Sequence, residues 1–232
     1  MGYIGRQPTG SILTGADIAD GSISTAKIAD DAVGNTKLDL SANYAFTGTV
    51  TGASDLVLVD TKTISSGSAN IDFTSGIGST YDLYQFHIIN IDVSANTNLQ
   101  LQYSTDGGSS YESGSGTYEY ASRAYNSNNS FGTNPSTSDT KMDLTVGGSQ
   151  LDDSVNHNGN MIITMTGHAD SNTRCCFFWH MGLIGTDSGY ATGGYGSGSI
   201  RTVAHNPNAI RFKLSGSGNT FDSGKMKLYG VR

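Results

Sequence analysis

A ladder of aliphatic residues at a period of five constrains this chain more than any other feature. Leu13, Ile18, Ile23, Ile28, Val33 and Leu38 recur every fifth residue without a break. Five matches neither the 3.6-residue turn of an α-helix nor the two-residue alternation of a strand. On a helix, steps of five carry the apolar side chains around the cylinder, so no single stripe forms. The spacing suits a chain that turns regularly and sends one side chain inward per step, as pentapeptide-repeat solenoids do. A short helix over residues 24–33, capped by Thr25, is the alternative. Six steps are too few for a solenoid to stand alone, because repeat units bury their faces only against neighbours. Disordered segments do not carry regularly spaced isoleucines, so the ladder is expected to find cover in other chains. Residues 1–40 therefore read as an anchoring and oligomerisation arm, with these six aliphatics as its contacts. Three arms bring eighteen such side chains to one axis, each contributing about 1.5–3 kcal/mol on burial before entropy is subtracted.

Residues 41–55 read as an extended connector, and after it the pattern changes. Strand-like runs follow at 56–64, 69–73, 81–93, 98–103, 117–125, 141–146, 160–166, 173–184, 199–204, 209–214 and 225–231. Alternation is clearest at Leu99, Leu101, Tyr103 and at Ile210, Phe212, Leu214. Turn clusters such as Asp106-Gly107-Gly108 and Ser215-Gly216-Ser217-Gly218-Asn219 separate the runs. Composition points the same way. Charged residues make up 14% of the chain and there are 31 glycines in 232 residues, against about 25% and about 7% in ordinary globular chains. Among the 20 acids only Glu112 and Glu119 are glutamates, and aspartate favours turns over helix interiors. The expected fold is all-β: an antiparallel β-sandwich over residues 56–232, jelly-roll-like, with the extended pentad-repeat arm in front of it. The Gly- and Ser-rich stretches 104–116, 125–140 and 186–198 read as exposed loops, where recognition usually resides.

The formal charge of −7 argues against nucleic acid as a partner. The sign is uneven: residues 201–232 carry six basic groups against Asp222. No apolar run has the length of a signal peptide or a membrane span, so membrane insertion is not expected. Arg6 stands where a myristoylation motif wants Ser or Thr. Cys175 and Cys176 are adjacent within an apolar strand and read as small side chains on opposite faces.

No constellation for catalysis emerges. His87, His157, His168, His180 and His205 show no metal-ligand spacing. Asp30-Asp31 and Asp152-Asp153 are sequence neighbours, which does not place carboxylates across a cleft. No nucleophile elbow, phosphate loop or dinucleotide fingerprint is present. The chain is accordingly expected to be non-enzymatic, with no catalytic residue, metal site or cofactor. Ser104 to Tyr111 resembles the Asp-box of sialidase propeller blades, but it occurs once, so it reads as a structural turn in which Asp106 accepts backbone hydrogen bonds. Tyr111, Tyr118, Tyr120, Tyr125, Tyr190 and Tyr195 fall in or beside the polar stretches, with Phe131. They are candidates for surface recognition of sugar rings, or else strand residues facing inward.

The head Met-Gly-Tyr-Ile-Gly-Arg-Gln-Pro and the run Ala-Asp-Ile-Ala-Asp-Gly-Ser-Ile-Ser-Thr-Ala-Lys-Ile-Ala-Asp-Asp-Ala-Val resemble the N-terminal regions of tail-fibre and virion appendage proteins of tailed bacteriophages, marine and cyanobacterial ones in particular. The ending Gly224 to Arg232 is similar to the closing strand of β-sandwich domains in such proteins. The resemblance implies a homotrimer in the virion, assembled in the host cytoplasm and docked by its N-terminus to other capsid or tail proteins. It implies a C-terminal domain facing outward, with a host-surface glycan as a candidate partner. Such fibres are usually longer, and a connector of fifteen residues points to a short head fibre or a capsid decoration protein clamping capsomers. A carbohydrate-binding adhesin is the third expectation.

Overall fold

The structure, a computed structural model, describes residues 55–146, 149–154, 157–170, 172–185, 189–201 and 205–232. The arm 1–40 with its six pentad aliphatics, and the connector up to residue 54, lie outside the described residues.

Among the described residues there are twelve strands and no helix: β1 (Leu56–Thr63), β2 (Asn70–Phe73), β3 (Leu83–Val93), β4 (Leu99–Ser104), β5 (Tyr118–Asn126), β6 (Phe131–Asp139), β7 (Met142–Asp143), β8 (Gly159–Thr166), β9 (Cys176–Ile184), β10 (Ala191–Ile200), β11 (Ala209–Leu214) and β12 (Phe221–Val231). They form two antiparallel sheets, ordered β1-β12-β3-β8-β9-β10-β5-β6 and β2-β11-β4-β7. Eight strands make a jelly-roll frame. With β5, β6, β9 and β10 set aside, the first strand pairs with the last (β1–β12), the second with the seventh (β2–β11), the third with the sixth (β3–β8) and the fourth with the fifth (β4–β7). The other four strands are two hairpins, β5–β6 inserted between β4 and β7 and β9–β10 inserted between β8 and β11; they pair through β10–β5 and widen the first sheet from four strands to eight.

Period-two alternation sends Tyr84, Phe86 and Ile88 of β3, Met161, Ile163 and Met165 of β8, and Phe177, Trp179 and Met181 of β9 into the core. Between the sheets, Phe86 meets Phe73 and Phe212 edge-on, each pair with ring centroids 5.4 Å apart. Further along, Tyr118 of β5 reaches across to β4. Its hydroxyl accepts from the Tyr103 amide (3.0 Å) and donates to the Glu112 carbonyl (3.0 Å). β7 pairs only with Gln100 and Leu101 of β4, so the tyrosine takes over beyond the end of that short strand. Both glutamines of β4 are buried as well, Gln100 donating to Asp143 and Gln102 to the carbonyls of Glu112 and Thr140.

Two stretches expected as loops are strands. Residues 191–200 form β10, a central strand, where a strand had been expected only from Ser199 onward; residues 202–204 lie outside the described residues. The reason is packing from β9 beside it and from β7 in the other sheet. A side chain at Gly194, Gly196 or Gly198 would collide with Met181, Trp179 or Met142, so glycine here leaves room for large partners. Residues 131–139 form β6, an edge strand, and Pro135 is tolerated there because an edge has one unpaired side.

Candidate binding face

The larger sheet has one face against the core and one face outward, and its register aligns outward residues into rows across the strands. One row runs Lys227, His87, Ile162, His180, Tyr195, Arg123. Beside it run Tyr229, Gln85, Thr164, Phe178, Ser197, Ala121. On the other side run Asn160, Gly182, Gly193, Tyr125, Phe131. Large apolar side chains stay open to solvent here: Phe178 is 50% exposed, Tyr195 51%, Tyr125 50% and Ile162 46%. From β3 to β10 these rows contain no Asp, Glu, Lys or Arg.

Shallow depressions follow the rows. One of about 380 Å³ is lined by His87, Ile162, His180 and Gly182. A second, of about 480 Å³, is lined by His180, Phe178, Tyr195 and Arg123. His180 belongs to both. Tyr125 lies across the backbone of Gly193, where an added Cβ would come within 2.7 Å of its ring. The ring therefore rests on the sheet with its other side toward solvent. Arg123 stands 5.1 Å from the centroid of the Phe131 ring. His87 sits beside Tyr229, with centroids 4.7 Å apart. Burial and the nearby Lys227 ammonium lower its pKa, which keeps the imidazole neutral at pH 7.

The structure separates the six tyrosines singled out from the sequence. Tyr125 and Tyr195 are on this outward face. Tyr118 and Tyr120 point the other way and are buried, Tyr120 donating toward Asp139 (3.0 Å) and Asp143 (3.3 Å); they are core residues rather than surface contacts. Tyr111 lies under the Arg211 guanidinium, 3.8 Å from its ring centroid, and Tyr190 is half-buried just before β10. Phe178, His180 and Arg123 did not figure among the candidate site residues. The i, i+2 spacing of Phe178 and His180 signals a shared face, but nothing in the sequence says which face the core takes.

The Asp-box-like segment is a tight turn after β4. Asp106 Oδ1 accepts from Ser104 Oγ (2.6 Å) and the Ser110 amide (2.9 Å), and Oδ2 accepts from Ser110 Oγ (2.6 Å). These bonds, with Ser104 and Ser110 foremost, hold its pKa down to about 2. Gly107 and Gly108 take φ of 72° and 88°, which glycine adopts without strain.

The histidines are dispersed. His168 is buried with Nε2 2.9 Å from the Gly78 carbonyl oxygen, His205 Nδ1 is 3.0 Å from the Tyr103 hydroxyl, and His157 is near Asp152. Among the described residues, no three or more His, Cys, Asp or Glu side chains gather where they could hold a metal ion. Cys175 is buried and Cys176 partly exposed, both as free thiols. Among the same residues, no helix is long and apolar enough to cross a membrane. Comparison with known proteins returns no family model, curated relative or solved structure that matches this chain.

Proposed function

We propose that this chain is a non-enzymatic structural protein of a tailed-phage virion, a short trimeric fibre docked to the particle through residues 1–40 and presenting the β-sandwich outward. The observation that carries the reading is the ladder of Leu13, Ile18, Ile23, Ile28, Val33 and Leu38 placed ahead of a sandwich domain. Among the described residues, the sandwich core runs from Ile64 to Leu228 as one cluster. A period of five gives the ladder no stripe to bury on a helix or a strand, and the reading assigns it to partner chains and the particle. The resemblance of residues 1–40 to appendage proteins supplies the class of particle. A connector of only fifteen residues favours a second reading, a decoration protein laid across capsomers.

The test compares the full chain with a variant lacking residues 1–40. The full chain is expected to sediment as a trimer and to decorate particles stripped of it, while the shortened chain stays folded and does neither. A full chain that sediments as a 24.3 kDa species, or a shortened one that still decorates particles, overturns the fibre reading. Labelling at capsomer junctions instead of at discrete projections selects the decoration role.

A further inference from the structure

We infer that the recess on the smaller sheet beside Lys213 binds a tetrahedral oxyanion, phosphate or sulfate, through that lysine and the loop that follows β11. The recess has a volume of about 610 Å³ and is lined by Asn70 of β2, Gln100 of β4, Lys141, Lys213 of β11 and residues 215–220. Strand pairing sets Lys213 between Asn70 and Gln100, so the three share one face across three adjacent strands.

Lys213 carries the inference. Arg211, two residues earlier on the same strand, forks onto Asp72, and Lys141 meets Asp139 at 2.9 Å. Lys213 is half-buried, and its ammonium makes no hydrogen bond or ion pair among the described residues. A partly desolvated cation without a counterion is a cost to the fold, and an anion taken from solution offsets it.

The surroundings favour an anion. No Asp or Glu is among the lining residues, and the carboxylates behind them are engaged by other donors. Asp143, opposite Gln100, accepts from Gln100 Nε2 (2.7 Å) and the Tyr120 hydroxyl (3.3 Å). Asp139 accepts from Lys141 Nζ (2.9 Å) and the Thr140 amide (2.7 Å). Asp222 accepts from the hydroxyls of Thr220 (3.3 Å) and Ser66 (3.4 Å). Donors remain in the loop: the amides of Gly216, Ser217 and Gly218 bond to no described residue. Gly216 and Gly218 take φ of 89° and 86°, and the space beside Gly218 is open to 4 Å where a Cβ would stand. A ligand can therefore approach this backbone closely. Lysine attracts phosphate as a point charge, and backbone amides in a turn add directional bonds. The shared chemistry is the oxyanion group, as the free ion or as the monoester of a larger molecule. The inference goes beyond the fibre reading and does not depend on how residues 1–40 dock.

The test follows the full chain by equilibrium dialysis and by melting temperature in inorganic phosphate, sulfate and glycerol 3-phosphate, against chloride at matched ionic strength. Phosphate or sulfate is expected to bind saturably and to raise the melting temperature, which chloride does not. Lys213→Gln is expected to weaken binding about tenfold, and Lys213→Arg to keep most of it, since the cation remains. Lys141→Gln should weaken it too, because it removes one cation and leaves Asp139 without its partner. Lys225→Gln, an exposed lysine of the other sheet, is expected to bind as the native chain does. Glycerol 3-phosphate binding more tightly than inorganic phosphate supports the site and identifies a monoester as its ligand; binding no tighter supports it as a site for the free ion. Absence of any saturable effect beyond chloride, binding unchanged in Lys213→Gln, or an equal loss in Lys225→Gln means an adventitious ion only and overturns the inference. Particle docking is not measured in any of these arms, so their failure leaves the fibre reading to its own test.

Discussion

Arg211 on β11 and Asp72 on β2 form a two-pronged ion pair, Nε to Oδ1 at 2.8 Å and Nη2 to Oδ2 at 2.7 Å, while the same guanidinium lies 3.8 Å from the centroid of the Tyr111 ring. The fork ties the edge strand β2 to its neighbour, and the stacking ties both to the turn after β4. Both side chains are a little over a quarter exposed, so solvent screening holds the effect to the lower end for charged hydrogen bonds. Arg211→Met is expected to cost about 1–2 kcal/mol. Arg211→Lys should recover less than half, because an ammonium has no planar fork to match the carboxylate or to stack. Urea midpoints at constant slope read both values.

Alkaline pH is expected to unfold this protein through its buried phenols. Burial raises the pKa of Tyr103 and of Tyr111 to about 12, and raises those of Tyr118, Tyr120 and Tyr84 as well. A raised folded-state pKa means that the folded state keeps protons the unfolded chain releases. The associated stability is complete below about pH 10, the unfolded tyrosine value, and is lost as pH climbs toward the folded values. Tyrosinate absorbance should therefore rise in two stages, the exposed rings first and the buried ones together with the loss of near-UV circular dichroism. A single smooth titration of all 12 tyrosines without unfolding contradicts this.

Tyr118→Phe isolates one phenol. It removes the acceptor for the buried Tyr103 amide and leaves that donor without its side-chain partner. The expected loss is about 1–3 kcal/mol, with little change in the shape of the side chain. Denaturation of this variant should also show faster hydrogen exchange at Tyr103, a local signature that a general loosening of the sandwich does not produce.

Gly196 and Trp179 are neighbours across β10 and β9, and a Cβ at Gly196 would overlap the indole. Gly196→Val is expected to destabilise by about 1–3 kcal/mol or more through overpacking. The pair should couple. Trp179→Phe shortens the ring, so Gly196→Ala with Trp179→Phe is expected to cost less than the sum of the two single changes by about 0.5–3 kcal/mol. Strict additivity would show that β10 is glycine-rich for some reason other than this contact.

Asp106→Ala removes the acceptor that gathers Ser104 and Ser110. The Ser110 amide is expected to exchange markedly faster, with the core amides of β3 and β8 unchanged. In the native chain the carboxylate's contribution is present above about pH 4, the unfolded aspartate value. It is lost as pH falls through the folded value of about 2. Loosening of this turn should accordingly precede any acid change in the core.

Much of the sandwich was legible wherever one face is buried and the other wet. Ile210, Phe212 and Leu214 alternate with half-buried Arg211 and Lys213, and β11 lies where that pattern places it. The Asp106 turn was legible from Ser, Asp and Gly spacing because its hydrogen bonds are local. The glycine-rich β10 was not, since what makes it a strand is the bulk of Met181 and Trp179 on β9 and of Met142 in the other sheet. Nor was the separation of the tyrosines. Tyr118 and Tyr120 differ from Tyr125 by an odd number of residues, which sends them to opposite faces of one strand. Which of those faces met the core depended on the second sheet, and short-range pattern does not carry that information.

The face with Tyr125, Tyr195 and Phe178 is carried by ribbons appended to the frame. Strands β1, β12, β3 and β8 bond to one another, as do β2, β11, β4 and β7, whatever decorates the outward side of β5 and β10. Mutations there leave the scaffold's hydrogen-bond ladder and its central phenylalanine cluster untouched. A lineage can thus rewrite what this surface touches, residue by residue, while the chassis that displays it stays the same.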